Sequence, residues 1–168
     1  MRTMLRMLAC AALALTAAGA RADEEKVAAD KLPKAVADAV KAKFPKAEVA
    51  GATKEKDGDK TTYEVTVMDG KIKVDVNVAE DGTITGYEKV VALGDLPKAV
   101  AAAAAKEHPK GKAKNAEAVY TVKDGKDTLA FYEVFVEVDG KTVEVEILAD
   151  GKLKPAEKKK DEPKKDKK

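Results

Sequence analysis

Residues 63–78 read Tyr-Glu-Val-Thr-Val-Met-Asp-Gly-Lys-Ile-Lys-Val-Asp-Val-Asn-Val, and the stretch folds back on itself. Apolar and polar residues alternate on both sides of Asp69-Gly70, a dipeptide suited to a two-residue turn with positive φ, so the segment reads as a β-hairpin. With that turn Met68 pairs with Lys71, Val67 with Ile72, Val65 with Val74 and Tyr63 with Val76. One face is then wholly apolar, while Glu64, Thr66, Lys73 and Asp75 share the other. A slip of one residue would mix the two faces.

The design recurs over 132–148 around Asp139-Gly140, where Val136/Val143, Val134/Val145 and Tyr132/Ile147 match in the same way. The hexapeptide Leu-Pro-Lys-Ala-Val-Ala at 32–37 also returns at 96–101. It opens a helix, with Pro33 near the first turn, where a missing N–H costs nothing. Leu32, Val36, Val40 and Phe44 form its apolar stripe. Pro45 stops it, because the residue before a proline is pushed out of the α region. The second helix runs to His108 before Pro109.

Strands are expected over 48–54 and 83–91, with turns at Asp57-Gly58-Asp59 and Asp81-Gly82. A left-handed Gly82 would place Val78 opposite Ile84. Asp-Gly pairs at 57, 69 and 81 are spaced as a meander of short strands requires, and Asp-Gly recurs at 124, 139 and 150. The expected fold is α+β: two tandem repeats, each one helix packed on a four-stranded antiparallel meander sheet. The first spans 32–91 and the second 92–153, after a loose lead-in over 23–31.

Residues 1–22 read as a signal peptide. Arg2 and Arg6 precede an apolar run over 7–18, and Ala20-Arg21-Ala22 supplies the cleavage pattern. That run falls well short of the roughly 20 residues needed to span a bilayer. The lipoprotein alternative at Leu8-Ala9-Cys10 is set aside, since the apolar run continues past the cysteine. The expected product is periplasmic or secreted, begins at Asp23, has no transmembrane span and is a monomer. Cys10, the only cysteine, leaves with the leader, so stability must come from the core.

Three arginines in 1–22 and a net +4 in 154–168 leave −5 for residues 23–153, out of a total of +2. The body is acidic and the tail basic. That tail, Lys, Glu, Asp and Pro without a large apolar residue, is expected to be disordered and solvated. No Arg, Ser, Cys, Trp or Gln follows residue 22. An acidic body without arginine forks excludes nucleic acid as partner. The lack of a Ser or Cys nucleophile and of a base partner for any threonine argues against an enzyme. His108, alone among imidazoles, has no second ligand for a metal, and Asp57-Gly58-Asp59 lacks the spacing of a calcium loop. No cofactor or metal is expected.

Leu-Pro-x-Ala-Val at a helix start, aromatic-Pro at its end (Phe44-Pro45), Tyr-Glu-Val in the second strand and Asp-Gly at successive turns together resemble the PepSY-like, beta-lactamase-inhibitor-like family. The pattern fits twice, over 32–91 and 96–153. His108 in place of the aromatic, and a first-to-second strand connection longer by two residues, are departures in the second copy. The resemblance implies helix-on-sheet modules in exported bacterial proteins, and in the inhibitor namesake two modules present a concave sheet surface to a target enzyme.

On the second hairpin's outer face fall Glu133, Phe135, Glu137, Glu144 and Glu146, the candidate binding residues. Glu133 lies opposite Glu146, and like charges so opposed are destabilising. Phe135 alternates outward from Tyr132, Val134 and Val136, as a partner anchor or as a contact with the first repeat. The expected function is an exported, non-enzymatic protein-binding module, an inhibitor of an envelope or secreted protein acting through its sheet. The alternative is a structural or charge-buffering envelope protein with electrostatic affinity alone.

Overall fold

The computed structural model describes residues 23–155. The expected leader (1–22) and all but the first two residues of the expected tail lie outside them. The chain runs β1 (Asp23–Val27), α1 (Lys34–Lys43), β2 (Glu48–Asp57), β3 (Lys60–Asp69), β4 (Ile72–Ala79), β5 (Ile84–Val90), α2 (Lys98–Glu107), β6 (Lys112–Lys123), β7 (Lys126–Val138) and β8 (Lys141–Ile147). All eight strands form one antiparallel sheet in sequence order. The two separate four-stranded sheets expected from the sequence are therefore a single sheet, closed by pairing of β5 with β6 from Gly86↔Thr121 to Val90↔Glu117. Joining them removes two exposed edges, each of which would offer unpaired backbone groups to another chain.

Two further expectations change. The lead-in is not loose: Asp23–Val27 adds an edge strand to β2, with Glu25 opposite Lys54 and Val27 opposite Ala52 and packed against the core. Among the described residues the second half has no full fourth strand: after Asp150-Gly151 the bridge Ile147↔Leu153 forms, and the Lys154 N–H donates to the Glu146 carbonyl, while Pro155 has no N–H to add to the ladder.

Both helices start after proline. Pro33 and Pro97 are the N-caps, one residue outside the first turn. Phe44 and His108 end the helices with φ near −125° ahead of Pro45 and Pro109. Val36 and Val40 of α1 are buried against Tyr63, Val65, Val67, Val74, Val76 and Val78, with Leu32 and Phe44 at the margins. Val100 and Ala104 of α2 pack on Ala116, Val134, Val136, Val145 and Ile147. Strand alternation keeps Tyr120, Ala118 and Ala116 on one side of β6, so both helices cover the same face. Ala104 and His108 stand where the first half has Val40 and Phe44, and they leave a cavity of about 120 Å³ bordered by Gly111, Val134 and Val136.

The halves are locked at the seam by β6 and β7. Tyr120 stacks on Tyr87 at 4.7 Å, and Phe44 meets Tyr87 edge-on at 5.6 Å. The Tyr87 hydroxyl donates to Asp127 at 3.0 Å, and Lys43 of α1 pairs with the same carboxylate. Val122 also packs on the first core. These residues, and not Phe135, make the contact between the halves.

The second hairpin has the expected register, with Tyr132↔Ile147, Val134↔Val145 and Val136↔Val143. Asp139 and Gly140 form its loop at φ 50° and 76°. In the first, Asp69 pairs with Ile72, so the loop is Gly70-Lys71 and the rows become Val67↔Val74, Val65↔Val76 and Tyr63↔Val78. Each partner on β4 thus lies two positions beyond the expected one. A shift of that size keeps every side chain on its face, so alternation could not detect it. Val78 opposite Ile84 holds as expected.

Gly82 and Gly151 each abut the first turn of a helix at φ 90° and 85°. A Cβ there would stand 2.8 Å from the carbonyl oxygen of Ala35 or Ala99. Gly70 has φ 65° but open space around it. Gly82→Ala is therefore expected to cost about 2 kcal/mol in urea unfolding and Gly70→Ala about 1 kcal/mol, the difference being the helix contact. Equal losses would place the whole effect in backbone conformation.

Candidate acidic binding face

The sheet face opposite the helices is uncovered among the described residues. Because the sheet is continuous, the outward rows of both hairpins join into one surface. The ladder sets Glu117 opposite Glu133 and Glu133 opposite Glu146, while Glu88 lies opposite Val119 and Asp75 opposite Glu88. One carboxylate oxygen from each of Glu88, Glu117 and Glu133 lies within 4.8 Å of the other two, and the same holds for Glu133, Glu144 and Glu146. Glu133 belongs to both triads.

Burial is what makes this row costly. Asp75 and Glu117 are each 6% exposed. Asp75 accepts hydrogen bonds from the Thr66 hydroxyl at 2.6 Å and the Lys73 ammonium at 2.5 Å. Glu117 accepts one from the Asn115 amide at 3.4 Å. Burial first, then the charges of Glu88, Glu144, Glu117 and Glu146, raise the Glu133 carboxyl from 4.5 to about 8. Burial and the neighbouring Glu117, Glu64, Asp75 and Glu144 raise Glu88 to about 7. Glu64, Glu117 and Glu144 are also raised, each chiefly by burial.

Of the expected site residues, Glu133, Phe135, Glu144 and Glu146 come together. Phe135 is half-buried, between Asn115 on β6 and Glu144 on β8. Glu137 stands apart, at the end of the face beside Lys112 and paired with Lys114 at 3.0 Å. Sequence reasoning missed Phe131, which alternation from Glu133 places on the same side, and it missed Glu88 and Glu117, which join only once β5 pairs with β6. The Lys154 ammonium sits 4.0 Å over the Phe131 ring and 3.0 Å and 3.1 Å from the carboxylate oxygens of Glu146. Lys154 is thus docked on the body, although composition alone assigns it to a disordered tail.

Chemically the face is an oxygen-rich, half-dry surface with an aromatic margin. It can hold ammonium groups between carboxylates and rings. Among the described residues the two triads are also the places where a hard cation would find several oxygens.

No protein-family model matches the chain, and no curated protein sequence matches it. Solved structures do. A BLIP-like protein from Bacteroides fragilis is 19% identical, with 77% of this chain and 90% of that one covered and a TM-score of 0.52. A DUF2874 family protein from Bacteroides ovatus is 18% identical over 72% and 83% of the chains, with a TM-score of 0.55. A protein from Bacteroides eggerthii, named for a periplasmic assignment, is 18% identical over 72% and 84%, with a TM-score of 0.57. Over its described residues the chain has a BLIP-like α+β fold of one eight-stranded antiparallel sheet and two α-helices. No helix among the described residues is long and apolar enough to cross a membrane.

Proposed function

We propose that this chain is an exported, non-enzymatic binding module of the periplasm, built of two tandem PepSY-like repeats over 32–91 and 92–153 behind a cleaved leader over 1–22. Its open sheet face takes a basic protein partner. The observation that carries the reading is the direct opposition of Glu117, Glu133 and Glu146 on three adjacent strands. A solvated face could separate like charges at no loss to the fold, whereas a face that meets a basic surface gains from concentrating them. Phe131 and Phe135 flank Glu133 and supply the apolar anchor that binding hot spots require. The periplasmic and BLIP-like names of the structural neighbours support the same picture. Inhibition of the partner by occlusion is its expected consequence.

A charge-buffering envelope protein is the rival that Glu88 and Glu133 favour, since both titrate near neutral pH. Capture from an envelope extract at rising salt separates the two. Phe135→Ala is expected to weaken the captured complex by about 2 kcal/mol or more while urea unfolding stays within about 0.5 kcal/mol of the unsubstituted chain. Binding that vanishes as the Debye length falls below about 8 Å, and that ignores Phe135→Ala, would establish the rival.

A further inference from the structure

We propose that the cavity beneath α2 is a binding site for a small uncharged phenol, a single aromatic ring carrying one hydroxyl. It lies on the helix side of the sheet, away from the carboxylate face, and stands independently of that face's function. The two halves show how the hollow arises. Leu96, Val100 and Ala116 stand where the first half has Leu32, Val36 and Ala52, but Ala104 replaces Val40 and His108 replaces Phe44. The backbone is the same in both: the Ala47 N–H donates to the Phe44 carbonyl at 3.1 Å, and the Gly111 N–H to the His108 carbonyl at 2.9 Å. The sheet wall does not compensate, since Val134 and Val136 only match Val65 and Val67 in size. Gly111 lets the chain close on Val136, where a Cβ would stand 2.4 Å from Cγ1. About 120 Å³ still remains. A hollow forfeits contacts and costs stability, and the first core shows that a valine and a phenylalanine fit at these places.

Size and polarity select the ligand. Apolar cavities of about 150 Å³ stay dry and take up benzene-sized molecules, so this one suits a single ring, as the first half places the Phe44 ring there. Its walls are apolar, and His108 is the one polar side chain among the residues that line it. No charged side chain lines it, so an ion would be buried without a partner. A neutral imidazole offers one donor and one acceptor nitrogen, and a phenol hydroxyl can answer either. Leu93, 38% exposed, and the exposed Ala101 and Ala105 also line the cavity and mark the way in.

The test titrates the chain from Asp23 to Lys168 with p-cresol and with toluene while backbone amide resonances are followed. p-Cresol is expected to shift the amides of Ala104, Gly111 and Val136 saturably and to bind roughly fivefold tighter than toluene, on the order of one net hydrogen bond. Ala104→Val combined with His108→Phe restores the side chains of the first half. It should raise the urea midpoint and weaken p-cresol binding at least about tenfold, because the ring of residue 108 then occupies the space. His108→Ala leaves the cavity open and should bring p-cresol and toluene to equal affinity. Absence of a saturable shift in the unsubstituted chain, or shifts centred on another part of the molecule, would overturn the site whether or not the filled variant folds. Undiminished p-cresol binding by the filled variant would do the same. Toluene binding as tightly as p-cresol to the unsubstituted chain, or a p-cresol preference that survives His108→Ala, would overturn the assignment of phenols through His108.

Discussion

Tyr63→Ala is expected to lower unfolding stability by about 3 to 5 kcal/mol, the range for deleting a large aromatic side chain from a core. Tyr63 is 4% exposed. It stands opposite Val78 on β4 and Lys54 on β2, at the outer end of the row Val67, Val65, Tyr63 beneath α1. No neighbour can easily collapse into the gap, because both flanking strands are held by long ladders. Such a loss is a substantial part of a typical domain's whole stability, which is itself marginal. Tyr132 occupies the corresponding place in the second hairpin but is only half-buried, so Tyr132→Ala is expected to cost about 2 kcal/mol. Urea unfolding of the two variants beside the unsubstituted chain checks both values. If Tyr63→Ala fell within the roughly 0.5 kcal/mol scatter of ordinary surface substitutions, the packing described for the first core would be wrong.

The second expected result runs against the usual course of acid denaturation: the protein gains stability as pH falls from about 8.5 to about 5. Glu88 and Glu133 bind protons more tightly when folded, at about 7 and about 8, than at the ordinary 4.5 of an unfolded chain. For a raised carboxyl the contribution is unpenalised below the unfolded value, falls as pH climbs through the interval to the folded value, and is at its lowest above it. One pKa unit corresponds to about 1.4 kcal/mol. The shifts cannot be added in full, because each residue is raised partly by the other's charge and water reaches both. After that discount a gain on the order of 2 to 3 kcal/mol remains.

Below about pH 4 the opposite groups take over. Asp127, held low by Lys43 and Tyr87, and Asp81 and Asp150, held low by hydrogen bonds from Thr83 and Lys152, lose their stabilising contacts when protonated. The optimum is therefore expected near pH 5. Glu133→Gln should flatten the profile by raising stability at pH 8.5 by roughly 1 to 2 kcal/mol with little change at pH 5. Unfolding in urea at the two pH values and low salt measures this, and a monotonic fall in stability from pH 8.5 to 5 would overturn it.

The seam between the halves illustrates how local and distant information divide in this chain. The proline-led helices, the Asp-Gly turns and the alternating apolar rows are short-range signals, and the elements they announce are present, save that among the described residues the last strand of the second half is a single bridge. The register shift that pairs Val119 with Phe131 but Tyr120 with Leu129, and the clasp of Lys43 and Tyr87 on Asp127, carry no local signal at all. They arise because β6 and β7 are long enough to overhang the first core.

The candidate face was legible to the same extent. Alternation alone put Glu133, Phe135, Glu144 and Glu146 outward together, and the Asp139-Gly140 loop set Glu133 against Glu146. Glu137 was placed with them by parity, yet it ends beside Lys114 because parity says nothing of position along the strand. Within each hairpin, then, the sequence determined which side chains face the helices and which face away, since a period of two leaves no other arrangement. Only the tertiary structure decided the offset of the first hairpin, the edge pairing of β1, and the union of β5 with β6 that brings Glu88 and Glu117 to Glu133. Strand-to-strand pairing across long stretches of chain costs entropy that no local pattern encodes, and it is settled by which edges the finished sheet can bury.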